Sequence, residues 1–336
     1  MKCARRVIRI GTRRNTVPRV LGIDTSAYTT SLAVVNGGRV EWEAREVLLV
    51  PPGHRGLRPS DAVFQHVRSL PELYARCETE TNGVAFRAVA ASTQPRPVPD
   101  SYLPPFVAGT SAAKVIAQSL KIPLFRTTHQ EGHIRAGLYG EENAFGAHFH
   151  VLHISGGTTE LLRVTRVGPG RFDVVRVGGS DDLFAGQFID RVGVALGLPF
   201  PAGKALQELA SESRNPVALP TVSPRQNKDG VWTSFSGLTT AAERSILQHD
   251  AKDVARGVEM ALSRTLIALV LKGMLPGPLL VVGGVAANRQ LRDDCVTQLN
   301  AQQGWRVRFG TPELSRDNAV GVALIGWDRL TASEGG

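Results

Sequence analysis

Residues 20–35 read VLGIDTSAYTTSLAVV, and residues 149–164 read FHVLHISGGTTELLRV. Each stretch is an apolar run, a short polar or glycine turn, and a second apolar run. That is the pattern of a strand, a tight turn and a returning strand. A third strand fits 39–48 after the first pair and 172–177 after the second. Helical periodicity follows at 60–77 and 108–120, separated by a strand at 86–91. In the second half, helices fit 181–196 and 253–274, and a strand fits 279–282 before Gly283 and Gly284. Each half thus reads as a three-strand meander followed by alternating helix and strand.

A duplicated unit of that kind predicts an α/β protein of two lobes, organised like actin, the sugar kinases and the heat-shock ATPases. In those proteins paired hairpin turns grip ATP phosphates from opposite sides of an interlobe cleft. This organisation implies a nucleotide and leaves the reaction open. The expected division is a basic, disordered arm at 1–19, an N-terminal lobe at 20–128 and a C-terminal lobe at 129–336. Residues 211–236, rich in Pro, Ser and Asn, read as a loop inserted beside the cleft. The last helix can pack back on the first lobe.

Composition narrows the class. The net charge is +9, but Lys2, Arg5, Arg6, Arg9, Arg13, Arg14 and Arg19 supply +7 of it within residues 1–19, which hold no acid. The rest of the chain is therefore not strongly basic. The arm reads as a disordered tail or a misplaced start site; alternatively it touches RNA phosphates. Cys3, Cys77 and Cys295 have no metal-binding spacing and cannot all pair, as expected of a reducing cytoplasm. No apolar run has transmembrane length, so no membrane partner is expected.

Two constellations carry chemistry. The turn Ser155-Gly156-Gly157 sits between two apolar strands, where successive glycines can turn backbone amides toward an anion. Gly283 and Gly284 end the later strand, where a backbone without Cβ can approach a flat ligand. Asn288 follows and can offer an amide to a ribose or base. The second constellation is His129-Gln130-Glu131-Gly132-His133. On a helix the two imidazoles share one face and can chelate one cation. Glu131 falls about 200° around that helix at about 100° per residue, so it points away. That excludes the zinc-protease arrangement, in which a Glu beside the first His faces the metal-bound water.

Taken together, LGIDTS, HQEGH, ISGGTTEL, GLPFPAGKALQELA, SFSGLTTA, GGVAANRQLR and SRDNA resemble, in order and spacing over about residues 20–330, the TsaD family. These are tRNA threonylcarbamoyladenosine synthases, once called O-sialoglycoprotein endopeptidases. The resemblance implies a phosphate loop at His153, Ile154, Ser155, Gly156 and Gly157. It implies an acid on the ribose at Asp190, a glycine under the nucleotide at Gly203, and nucleotide contacts at Asn288 beside Gly283 and Gly284. It also implies a third metal ligand, Asp317, at the opening of the last helix. With His129 and His133 it would hold one divalent ion, and iron, zinc and manganese all suit such ligands. ATP, AMP or threonylcarbamoyl-adenylate is the implied ligand. The implied partners are tRNA, the synthase that makes the adenylate and other proteins of that pathway; dimerisation is compatible with the sequence.

The chain departs from the family where acid–base chemistry is placed. Family members carry Cys-Asp-Glu where this chain has Ala27, Tyr28 and Thr29, leaving no assigned catalytic residue. A Gly-Pro-Gly turn is replaced by Gln94-Pro95-Arg96-Pro97. Thr158 stands for a His and Thr239 for a Lys. This is the pattern of a diverged paralogue. The leading expectation is threonylcarbamoyl transfer from the adenylate to adenosine next to the anticodon; the alternatives are a nucleotide- and metal-binding regulatory or scaffold subunit, or a carbamoyl- or phosphoryl-type transferase with another substrate.

Overall fold

Two sheets built on the same plan dominate the computed structural model, which describes residues 18–26, 28–51, 56–83 and 85–335. The basic arm lies outside the described residues except for Pro18 and Arg19, and so does Ala27. The first sheet contains β1 (Arg19–Thr25), β2 (Thr29–Asn36) and β3 (Arg39–Val47) as an antiparallel meander. Helix α1 (Pro59–Glu80) leads to β4 (Ala88–Gln94), and α2 (Pro105–Leu120) leads to β5 (Leu124–Thr128). β4 and β5 add in parallel, giving the order β3-β2-β1-β4-β5.

Helix α3 (His129–Gly137) joins this sheet to the second. There β6 (His148–Ile154), β7 (Thr159–Gly168) and β8 (Arg171–Ser180) repeat the meander. Next come α4 (Ala185–Ala195), α5 (Gly203–Ala210), β9 (Arg225–Asn227), β10 (Gly230–Thr233), α6 (Ser236–Ser245) and α7 (Ala251–Gly273). The chain closes with β11 (Pro278–Val282), α8 (Arg289–Asn300), β12 (Arg306–Phe309), α9 (Pro312–Ser315) and α10 (Val320–Glu334). The order is β12-β11-β6-β7-β8-β10-β9, with β11 parallel to β6 and β12. In both sheets the third, second, first, fourth and fifth strands of the unit lie side by side, as a duplicated α/β unit requires.

Each sheet has its own apolar core. Leu21, Ile23, Val89 and Ala91 pack under α1 and α2, while Ile154, Leu161, Val281 and Leu279 pack under α4 and α7. The central helix α7 is apolar on most of its surface because it is covered by α5, α8 and β10. Helix α10 lies on the first sheet, with Val320, Ala323 and Leu324 against Ala33 and Val35. It also crosses α3 closely: a Cβ on Gly321 would collide with the Gly132 carbonyl.

The 211–236 segment is more ordered than its composition implies. β10 joins β8 in parallel, β9 pairs with β10, and Ser236 already begins α6. The helix expected from 181 starts at Ala185, because Asp182 is drawn into a turn. Its carboxylate accepts bonds from the Leu183 and Phe235 amides and the Ser234 hydroxyl.

Candidate functional site at the end of the first strands

The end of β5 and the start of α3 fix the first two side chains. Thr128 is the N-cap: its hydroxyl accepts the Glu131 amide, and the Glu131 carboxylate accepts the Thr128 amide. This capping box occupies Glu131 at its own helix end, facing Thr127 and Thr128. The helix places His129 and His133 one turn apart with their Nε2 atoms 3.1 Å from each other. Asp317 approaches from the opposite side. It lies three residues before α10 rather than opening it, in a loop held by Asn318, whose amide donates to the Leu314 carbonyl and whose Oδ1 accepts the Val320 amide. Asp317 Oδ1 is 3.2 Å from His133 Nε2 and 3.6 Å from His129 Nε2.

These donor atoms all lie within 4.8 Å of one another. Ligands bonded at about 2.0–2.2 Å to one tetrahedral ion sit roughly 3.4 Å apart, so the spacing fits a shared cation. The outer contacts fit as well. Asp24 Oδ1, fully buried at the end of β1, lies 3.1 Å from His129 Nδ1. Accepting the Nδ1 proton leaves the Nε2 lone pair facing inward. Ser26 Oγ donates to Asp317 Oδ2 at 3.1 Å. Burial opposes charge on His129, but Asp24 and Asp317 outweigh it and raise its pKa to about 10. Burial alone would raise Asp317, yet hydrogen bonds from both histidines hold it well below the usual carboxylate range.

His153 sits near the end of β6. Its ring is 5.0 Å from that of His133, and neither ring nitrogen has a hydrogen-bond partner although the side chain is buried. Burial, then the neighbouring His133 and His129, push its pKa well down, with Arg96 adding to the effect.

The glycine turns lie alongside. Ser155 N–H donates to the Thr158 carbonyl, and Gly157 N–H donates to Ser155 Oγ at 3.3 Å. A Cβ on Gly156, Gly157 or Gly284 would meet nothing within 4 Å, so the outer face of both turns is open. Gly283 has φ +96° and packs on the Ile154 carbonyl, which holds the two turns against each other. Gly186 on α4 closes the back, its amide donating to the Ser155 carbonyl at 3.2 Å.

The remaining sequence-derived positions are more committed internally. Asp190 Oδ1 accepts the Ala202 amide at 2.8 Å, which ties α4 to the start of α5 at Gly203. Burial raises the Asp190 pKa. Asn288 lies beyond a short 3-10 turn (Gly284–Ala287) and N-caps α8, its Oδ1 accepting the Leu291 amide. Its Nδ2 donates to buried Glu259 at 2.7 Å. In this conformation both ends of the Asn288 amide are engaged within the protein.

A family comparison decides what this arrangement belongs to. The sequence model described as TsaD, tRNA N6-adenosine threonylcarbamoyltransferase, matches residues 45–324. The chain belongs to the TsaD family. Among solved structures, it is similar to component A of the Acidaminococcus fermentans (R)-2-hydroxyglutaryl-CoA dehydratase, at 17% identity and TM-score 0.56, covering 94% of this chain and 99% of that one. The Clostridium difficile activator of 2-hydroxyisocaproyl-CoA dehydratase, with bound ADPNP, matches at 14% identity and TM-score 0.53, over 94% and 97%. T. kodakarensis HypF matches at 14% and 0.57, over 94% of this chain and 48% of that one. At such identities these likenesses establish the fold alone, the two-lobed actin-like α/β fold.

Within this TsaD-family chain, the replaced positions are not equivalent in space. Thr29 is buried at the start of β2, whereas Tyr28 is exposed and Thr158 half-buried. Thr239 is buried and its hydroxyl donates to the Phe235 carbonyl. Sequence reasoning missed four contributors: Asp24, Ser26, His66 and Glu160. His66, fully buried on α1, lies 2.8 Å from both the Thr30 hydroxyl and the Ser26 carbonyl and so supports the turn after β1. Asp24 and Ser26 were visible inside LGIDTS, but nothing local says that they face residues 105 and 291 positions away.

Proposed function

We propose that this TsaD-family protein binds threonylcarbamoyl-adenylate and transfers the threonylcarbamoyl group to the adenosine next to the tRNA anticodon, at reduced turnover. The observation that supports this most is one place where His129, His133 and Asp317 converge beside two open glycine turns. The turn at Ser155–Gly157 would take the phosphate, and Asp190, Gly203 and the Gly283–Asn288 segment would line the nucleoside. A divalent cation, when bound, supplies Lewis acidity to the phosphate and carbonyl oxygens. Asp24 and Ser26 hold His129 and Asp317 in orientation. The adenosine N6 forms a bond to the carbamoyl carbon, the bond from that carbon to the phosphate oxygen breaks, and AMP leaves with the electron pair. N6 gives up one proton.

The slow step in this reading is the handling of that proton. Tyr28 and Thr29 offer hydroxyls and no carboxylate, and a hydroxyl is a far weaker general base than a carboxylate. Loss of a positioned base costs roughly 10²–10⁴ in rate. The test combines the purified protein, a divalent metal, the adenylate-forming synthase and unmodified tRNA, with modified adenosine counted by mass spectrometry. Slow but metal-dependent product formation supports the reading. Its complete absence, with adenylate still bound, favours the second one, a nucleotide- and metal-binding regulatory or scaffold subunit. That second reading draws on the same replacements at Tyr28, Thr29 and Thr158. A cytoplasmic site of action and transient contacts with the synthase and tRNA go with either reading. Among the described residues, no helix is long and apolar enough to cross a membrane.

A further inference from the structure

Arg96 lies in the turn Gln94-Pro95-Arg96-Pro97, between β4 and α2. The turn that carries it is pinned on all sides. The Gln130 amide donates to the Pro95 carbonyl at 3.0 Å, which sets residue 96 against the first turn of α3, next to His129. Gln94 Nε2 donates to the Arg96 carbonyl, and the Arg96 amide donates to Ser101 Oγ.

Across the cleft, on β7, lies Glu160, which is buried. Arg96 Nε is 3.0 Å from its Oε1, Arg176 Nη1 is 3.5 Å from the same oxygen, and Gln130 donates to Oε2 at 2.7 Å. Two guanidinium groups against one carboxylate leave one uncompensated positive charge. Arg176 also stacks on Trp232, 5.1 Å from the ring centre, which fixes its direction. Arg96 is held only through Nε: among the described residues its two terminal nitrogens bond to nothing, and its side chain is 37% exposed. The neighbouring imidazole of His153 is buried with both nitrogens unpartnered. Buried polar groups are ordinarily satisfied, yet among the described residues the His153 ring and the terminal nitrogens of Arg96 are both left without partners.

We propose that the terminal nitrogens of Arg96, oriented by Glu160, grip an oxyanion of the bound donor. The oxyanion belongs either to its phosphate or to a carboxylate on the acyl group. The proposal rests on the cleft being the adenylate site. Glu160 acts as a positioning residue: it aligns the guanidinium fork for a second, two-point contact of the kind Arg makes with carboxylates and phosphates.

Calorimetric titration tests it with three probes. These are AMP, a non-hydrolysable sulfamoyl analogue of the acyl-adenylate bearing a free carboxylate, and the same analogue with that carboxylate reduced to an alcohol. Each is titrated into wild type, Arg96→Gln and Arg96→Lys. A charge-assisted contact of this type predicts a loss of about 10–100-fold in Arg96→Gln. A loss on the carboxylate analogue alone supports the proposal and assigns the oxyanion to the acyl group. A loss on AMP, which carries the phosphate that the sulfamoyl analogues lack, supports it and assigns the phosphate. Affinities unchanged within about twofold overturn the role of Arg96 while leaving the cleft reading intact. No binding of any probe to wild type overturns the cleft reading, and the proposal with it. Arg96→Lys keeps the charge and is expected to retain part of the affinity. An equal loss in both variants, together with a lowered melting temperature, would show a structural role only and overturn the assignment.

Discussion

Asp24 shows how much a single side chain can decide at this site. Its Oδ1 faces His129 and the Ser92 hydroxyl, while Oδ2 is buried without a partner. An Asp24→Asn substitution would present an amide in which only one atom accepts, so the His129 tautomer is no longer fixed. Loss of such an outer partner typically lowers metal affinity 10–100-fold, measurable by competition with a chelator of known affinity. On the proposed site, His133→Ala removes one of the three ligands. The metal content of the purified protein, read by plasma mass spectrometry, should fall toward zero. A stoichiometry unchanged from wild type would refute the three-ligand site. Gly156→Val probes the other constellation. A Cβ there meets no protein atom within 4 Å, so the fold should keep its melting temperature while nucleotide binding is lost, because the branched side chain fills the proposed phosphate position. Undiminished AMP binding in calorimetry would move the phosphate elsewhere.

At the scale of elements, the crossing of α3 and α10 couples packing to the site. Gly321 on α10 lies so close to the Gly132 carbonyl on α3 that any side chain must separate the helices. Gly321→Val is expected to destabilise by roughly 3 kcal/mol, as overpacking does in tight cores. It should also release metal from the proposed site, since α3 with its two histidines and the Asp317 loop are forced apart. Thermal unfolding and metal content should fall in parallel; a large loss of stability with full metal content would separate the two. The turn between β8 and α4 gives a pH-dependent case. Burial pushes the Asp182 pKa up, but bonds from Ser234, Ser236 and the Leu183 and Phe235 amides win and lower it to about 2. A depressed acid stabilises the fold above its unfolded value near 4, and that stabilisation disappears as pH falls toward 2. Because the group is largely exposed, the effect is discounted to about 1 kcal/mol. Asp182→Asn should flatten that stretch of the acid-unfolding curve and leave stability near pH 2 unchanged.

For the whole molecule, the site links two separately packed sheets. Asp24 comes from the first sheet, His129 and His133 from the joining helix, and Asp317 from the loop before the helix that returns to the first sheet. A ligand that binds such a set only when folded stabilises by mass action, about 2.7 kcal/mol at a hundredfold excess over its Kd. Adding a divalent metal should raise the melting temperature by a few degrees, and nucleotide should add to the rise. A chelator should reverse the metal effect. Nucleotide that shifts the transition only when metal is present would show that the two ligands meet in the cleft.

The sequence alone determined the duplicated unit, because period-2 runs, glycine turns and helical periods are local signals that recur in the same order at 20–35 and 149–164. It also determined the spacing of His129 and His133, since a helix puts residues four apart on one face wherever it packs. The ordered strands within 211–236 were not legible there: β10 exists by pairing with β8, a partner more than 50 residues away. Nor could sequence tell that Asn288 spends its amide on Glu259 and on capping α8, or that Glu131 serves its own helix end. The meeting of Arg96 with Glu160, and of Asp24 with His129, was decided by tertiary structure. Charge pairs of this kind depend on which strand ends the fold brings across the cleft, and no local periodicity encodes that distance.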